Sequence, residues 1–321
     1  MAFLTGSKQA DDQDEAAKNI VFSFELLQKN VLVTGAYGQL GSEIKRLTNI
    51  NPNNNFRFFF TDADTLDITD IEAIDAFVAE NSIKYIINCA AYTAVDKAED
   101  DVALCYKINH DAVLNIAIVA AKHKARVIQI STDYVFDGTN NRPYVESDPV
   151  NPQSVYGKSK EEGESSLLAK CPESIIIRTS WLYSIYGNNF VKTMIRLGRE
   201  RSELNVVADQ TGTPTNAADL AAAIGHILDY SEEKDFVPGI YHYSNEGITT
   251  WYDFTVEIHK DAGITGCQVS PITTDQYPTK AKRPQYSVLD KTKIKTTFGL
   301  TIPEWKDSLA VCVEELLAAE K

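Results

Sequence analysis

Tyr156 and Lys160 stand four residues apart in the stretch SVYGKSK. On a helix that spacing sets both side chains on one face. A free phenol, with a pKa of about 10, is too weak an acid to work near neutral pH. A neighbouring ammonium favours the phenolate and lowers that value. Such a pair is suited to giving a proton to a carbonyl oxygen while a hydride reaches the carbon. Upstream, the apolar run ARVIQIST ends in Ser131 and Thr132, followed by Asp133. Either hydroxyl could bond the reacting oxygen, or simply close a turn at the end of a strand. Tyr and Lys four apart also occur on many solvated helix faces, so the chemistry requires a hydride source and a cleft elsewhere in the chain.

The segments around this pair supply both. VLVTGAYGQLGSEIKRL reads as a buried strand, a turn with Gly35, Gly38 and Gly41, and an amphipathic helix. Gly35 permits the tight turn, Gly38 lets a pyrophosphate approach the backbone, and Gly41 lets the helix pack on the strand. The free N–H groups of the helix start then face phosphate. A second apolar run, FRFFFTDAD, ends at Asp62, about where a dinucleotide fold carries the acid that accepts from the adenosine ribose. A carboxylate there repels a 2'-phosphate and favours NADH. Asp67 and Ile68 either hold the adenine or, for Asp67, cap a turn or helix start. The strand IKYIINC exits through small Ala90 and Ala91, which allow close approach at the carboxyl edge of a sheet. Asn109, inside a long apolar helix, is either structural or bonded to nearby backbone. The strands ARVIQIST and IIIRTSW complete an alternating strand–helix rhythm. It predicts an α/β fold, a Rossmann-like doubly wound parallel sheet.

The composition suits a soluble globular protein: 321 residues, 44% hydrophobic, 24% charged. A formal net charge of -14 argues against nucleic acid and anionic membranes as partners. No apolar run approaches the roughly 20 residues needed to span a bilayer. Five scattered cysteines without a CxxC or Cys/His pattern read as reduced thiols in a cytoplasmic protein. Residues 1–28 read as an extension without a secretory signature. Residues 29–178 form the expected dinucleotide-binding domain, with returning segments at about 204–230. Residues 179–321 mainly form a smaller substrate-binding α/β domain interleaved with the first. Within it Lys192, Arg196, Arg199 and Arg201 make a basic cluster that either meets a diphosphate or is a solvated helix face.

VTGAYGQLG, CAAYTAVDKAE, ISTDYVFDG, VYGKSK, RTSWLY, GNNFVKTM and DQTGTPT follow one another in this order. From about residue 29 onward the chain closely resembles the dTDP-4-dehydrorhamnose reductases, a family of extended short-chain dehydrogenase/reductases. The resemblance implies reduction of the C4 ketone of dTDP-4-dehydro-6-deoxy-L-mannose to dTDP-L-rhamnose, with NADPH or NADH as cofactor. It implies Tyr156 as proton donor, Lys160 on the nicotinamide ribose and Thr132 on the C4 oxygen. Gly35, Tyr37, Gly38, Gln39, Leu40, Asp62, Asp67, Ile68, Ala90, Ala91 and Tyr92 would line the cofactor cleft. Val95, Thr132, Asp133, Tyr134, Tyr156 and Trp181 would meet the dTDP-sugar. Some members form a magnesium-bridged dimer through glutamates. This chain has TNAADL where such a glutamate is expected, which implies no metal and a monomer or weak homodimer. The alternatives are a non-catalytic, dinucleotide-binding regulatory subunit and another sugar-nucleotide reductase or epimerase.

Overall fold

The computed structural model describes residues 28–50 and 55–320. The expected extension falls outside the described residues apart from Gln28. In chain order, the strands of four or more residues are β1 (Lys29–Thr34), β2 (Phe56–Phe60), β3 (Ile83–Asn88), β4 (Arg126–Thr132), β5 (Ser174–Thr179), β6 (Glu203–Val207), β7 (Gly239–His242) and β8 (Gln268–Ile272). The helices of ten or more residues are α1 (Gln39–Ile50), α2 (Ile71–Glu80), α3 (Val102–His123), α4 (Val155–Lys170), α5 (Phe190–Glu200), α6 (Ala217–Glu233), α7 (Trp251–Asp261) and α8 (Trp305–Ala318).

Six strands form one parallel sheet in the order β7-β5-β4-β3-β1-β2. Their alternation explains the layers. Val31 and Val33 of β1, Ile128 of β4, and Ile175 and Ile177 of β5 face α1 and α6. Leu32, Val127 and Ile176, one residue out of step, face α2, α3 and α4. Both faces are covered, so the strands read as continuous apolar runs. The order reverses at β1 and β3, and the crevice at that reversal is where such sheets hold ligands.

The returning segment divides. α6 and β7 do belong with the main sheet, whereas β6 pairs with β8 in a separate two-stranded sheet. β7 lies beyond the expected boundary at residue 230. β6 and β8 contribute to a third core with α5, α7 and α8, centred on Phe254, Ile258, Trp305 and Leu309.

Helix α3 corrects one sequence expectation. With 22 residues it is long and apolar enough to cross a membrane by length and composition. Its apolar face, Val113, Ile116, Ala117 and Ala120, instead packs beneath the sheet. At Lys107–Asp111 it widens into a π-turn, a feature common near functional sites. α4 starts with the Ser154 side chain accepting from the Gly157 amide at 3.1 Å. A Cβ at Gly157 would lie 2.3 Å from the Tyr134 carbonyl. Only glycine lets α4 press against the loop after β4, and that contact brings Tyr156 to the end of the sheet.

Candidate active site

The glycine turn after β1 sits tightly on the exit of β3. Gly35 has φ +64, and a Cβ there would meet the Ala90 amide nitrogen at 2.6 Å. Asp62, just past β2, accepts from the Tyr37 amide at 3.0 Å and the Ala63 amide at 2.8 Å. It thereby ties the turn to the second strand. Between these elements lies a cleft of about 720 Å³. Gly35, Tyr37, Gly38, Asp62, Asp67, Ile68, Ala90 and Ala91 all line it. Asp67 serves in two ways, since it also accepts from the Thr69 amide at 2.8 Å, which holds its carboxyl below the usual range. The cap of α2 is Asp70, bonded to the Ala73 amide at 3.0 Å.

Three expected cleft residues point elsewhere. The Leu40 side chain is buried in the core between α1 and the sheet. Gln39 is held by Asn189, whose amide donates to its oxygen at 3.0 Å. The Tyr92 hydroxyl turns away to Asp101 at 3.1 Å. Asn109 fixes the Tyr92 backbone in both directions, accepting from its amide at 2.9 Å and donating to its carbonyl at 3.1 Å. It also donates to the Ser159 hydroxyl at 3.1 Å. It therefore joins the β3 exit, α3 and α4. Cys89, Asp64, Lys107 and Ile108 line the same cleft. The sequence reading missed Lys107 and Ile108 because the π-turn that presents them leaves no trace in hydrophobic periodicity.

At the end of β4 the chemistry converges. Thr132 is 5% exposed. Its hydroxyl donates to Asp133 at 3.0 Å and accepts from the Tyr134 amide at 3.2 Å. The Tyr156 phenol lies within reach of the same hydroxyl. Tyr134 packs edge-on against Tyr156 with centroids 5.5 Å apart. Burial pushes the Asp133 carboxyl up to about 6 and the Tyr134 phenol up to about 12. Burial also holds the Tyr156 phenol above its ordinary value, with the Asp133 carboxylate adding to the rise.

That direction corrects the expectation from spacing. Lys160 does not hold the phenol down in this structure. Its ammonium donates to the Ile130 carbonyl at 2.6 Å, and burial pushes it down to about 8. The spacing sets Tyr156 and Lys160 on one helix face, but the buried surroundings dominate both titrations.

Opposite Tyr134 lies Arg283, which the sequence reading did not single out. It donates to the Tyr134 hydroxyl at 3.4 Å and pairs with Asp96 at 2.6 Å. Asp96 follows Val95 in a single helical turn, Val95–Ala98, and the next residue, Glu99, accepts from the Val155 amide at 2.9 Å. Val95 and Tyr134 are thus brought to one region through Arg283 and the start of α4. A second cleft, of about 550 Å³, is lined by Asp137, Tyr277, Lys280, Lys282 and Arg283. The basic cluster on α5 turns out to be a solvated face. Arg196 pairs with Glu200 at 2.8 Å, Arg199 with Glu320 at 2.9 Å, and Lys192 donates to the Gly187 carbonyl at 2.8 Å.

Trp181 has φ +48, rare for a bulky residue. Its ring stacks on Trp251 with centroids 3.6 Å apart and 12° between planes. On the other side, a Cβ at Gly212 would meet the indole at 2.6 Å, so glycine makes the slot. Among the described residues no group of three His, Cys, Asp or Glu side chains is placed to hold a metal ion.

The family model described as RmlD substrate binding domain matches residues 29–318. The chain belongs to this family. RmlD relatives extend over nearly the whole chain. A dTDP-4-dehydrorhamnose reductase of Aggregatibacter actinomycetemcomitans is 42% identical over 285 residues, 87% of this chain and 96% of that protein. A crystal structure of a dTDP-4-dehydrorhamnose reductase from Clostridium acetobutylicum superposes with a TM-score of 0.84 at 46% identity, covering 90% of this chain and 99% of the other. A Bacillus anthracis dTDP-4-dehydrorhamnose reductase solved in complex with NADP gives a TM-score of 0.84 at 39% identity, over 90% of this chain and 99% of that one. Membership in the RmlD family makes this chain an oxidoreductase with a Rossmann-like fold.

Proposed function

We propose that this protein reduces the C4 ketone of dTDP-4-dehydro-6-deoxy-L-mannose, with NADPH or NADH, to give dTDP-L-rhamnose. The observation that carries the reading is the meeting of Thr132, Tyr134 and Tyr156 at the carboxyl end of β4, beside the glycine-turn cleft. The cleft fits a dinucleotide. Its turn has no room for a side chain at Gly35, its helix start faces phosphate, and Asp62 is fixed where a ribose hydroxyl would donate. When bound, the reduced nicotinamide supplies the hydride.

The protein's own residues then handle the proton. A buried phenol held above its ordinary value stays protonated across the physiological range. Tyr156 is therefore a loaded acid that releases its proton only when a ketone oxygen begins to carry negative charge. The Thr132 hydroxyl steadies that oxygen. Lys160, on the same face of α4 as Tyr156, would hold the nicotinamide ribose. On the sugar-nucleotide side, the edge of the Trp181 ring, fixed between Trp251 and Gly212, would meet the substrate. Arg283, Lys280 and Lys282, rather than the solvated α5 cluster, would meet the diphosphate.

The test is a spectrophotometric assay with the keto sugar nucleotide and each reduced cofactor. Stoichiometric loss of reduced-cofactor absorbance is expected. No oxidation with either cofactor refutes the reading. Turnover without net cofactor consumption points to an epimerase on the same scaffold.

A further inference from the structure

Lys160 does not work on α4 alone. Glu164 follows it by four residues and is equally buried, each 4% exposed. The Glu164 carboxylate receives Arg178 of β5 in two-pronged fashion, at 2.6 Å from Nη2 to Oε2 and 3.0 Å from Nε to Oε1. Arg178 is itself 3% exposed. The Glu164 Oε1 atom also accepts the Ser131 hydroxyl. Lys160 meanwhile grips the carbonyl of Ile130. Two consecutive residues of β4, immediately before Thr132, are therefore held by two residues of α4 one turn apart.

Stability alone is a poor account of this arrangement. Withdrawing an ion pair from water costs several kcal/mol per ion, and well-packed apolar residues of similar size often do as well or better. Charge counting suggests what the pair is for. Glu164 pairs with one buried cation, Arg178, and stands one turn from another, Lys160, on which its charge acts. The other titratable groups facing Lys160 are the thiols of Cys105 on α3 and Cys89 after β3, and β4 presents only a carbonyl. Burial raises both thiols, so they stay neutral. Glu164 is the carboxylate that opposes the effect of burial on Lys160.

We infer that Glu164, clamped by Arg178, is a positioning residue for the reduction: it keeps Lys160 charged inside the protein and holds Thr132 in register with Tyr156. The inference rests on the reading that Lys160 binds the cofactor ribose. Removing one partner alone strands a buried charge and threatens folding. The main test is therefore the double variant Glu164→Gln with Arg178→Gln, which removes both charges together. The measurements are thermal unfolding and the pH dependence of NADPH binding, followed by fluorescence without any sugar. Wild-type binding should weaken as pH rises through about 8, where Lys160 loses its proton. In the double variant that limb should move down by about one pH unit, a loss of about tenfold at a fixed alkaline pH. At pH 6 its binding should stay close to wild type. A limb at the wild-type position in a folded double variant overturns the inference, whatever happens to turnover. Should the double variant fail to fold, Glu164→Asp keeps the charge and shortens the reach. It should leave the limb in place and lower kcat, and a shifted limb there overturns the inference as well. A wild-type protein that binds NADPH but leaves the keto sugar unreduced would instead refute the functional reading, with the binding limb still measurable.

Discussion

The cofactor side and the substrate side of the crevice are built by different means. The cofactor side rests mostly on backbone: a glycine turn, the start of α1, and small residues leaving β3, with Lys107 and Ile108 of α3 closing it. Among its side chains, Asp62 serves mainly to fasten backbone amides. The opposite side is assembled from side chains far apart in sequence. Asp96 meets Arg283, Glu164 meets Arg178, and Trp181 meets Trp251. A backbone-built site can be altered only by strain. A side-chain-built site can be dismantled one group at a time, and its effects should separate into chemistry and binding.

The sharpest test of that separation is Tyr156→Phe. It removes only the acidic proton and leaves the edge-on packing on Tyr134. Turnover should fall roughly 10²–10⁴-fold, while cofactor binding and unfolding temperature stay near wild type. An unchanged rate would move the acid elsewhere. Next in size is Arg283→Gln. Losing a charge-assisted contact of about 1.5–3 kcal/mol should raise the KM for the sugar nucleotide about 10–100-fold. The effect on kcat should be small. If kcat falls instead and KM holds, Arg283 acts through Tyr134 rather than on the ligand.

On the cofactor side the comparable change is Gly35→Ala. The left-handed backbone alone costs about 1–2 kcal/mol, and the new Cβ would lie against the Ala90 amide at 2.6 Å. Unfolding temperature and NADPH affinity should both drop, because the same atoms carry fold and function. If affinity falls with no loss of stability, the claim that this side is built from backbone geometry fails.

The two sides also differed in how far they could be read from sequence. Glycine spacing, strand-end acids and small exit residues are local signals. They placed Gly35, Gly38, Asp62, Asp67, Ala90 and Ala91 in one cleft. The alternating apolar runs gave β1 to β5 for the same reason, since each strand carries its own pattern. Leu40 shows the limit: it follows the turn directly, yet helix geometry rotates its side chain into the core. Lys107 and Ile108 escaped because a π-turn shifts helical phase by one residue. Arg283 lies 187 residues from its partner Asp96, and no local pattern joins them. The Tyr156 and Lys160 spacing correctly put both groups on α4. It could not reveal that burial outweighs their mutual charge, because burial is set by the packing around α4, not by its own sequence.

The smallest expected effect separates two basic groups that look alike in sequence. Arg196 and Arg199 stand on the exposed face of α5, paired with Glu200 and Glu320. Exposed ion pairs contribute about 0–1 kcal/mol, because water already solvates both partners. Arg196→Gln combined with Arg199→Gln should shift stability by no more than about 1 kcal/mol and leave KM for the sugar nucleotide unchanged, also at low salt. Low salt is the demanding condition, since screening then hides least. A KM that rises at low ionic strength would mean that the α5 face steers the anionic substrate toward the crevice. An unchanged KM there, beside the expected rise in Arg283→Gln, assigns recognition to the half-buried cation next to Tyr134. Position against the crevice, rather than the density of positive charge along the chain, then decides which arginine the nucleotide meets.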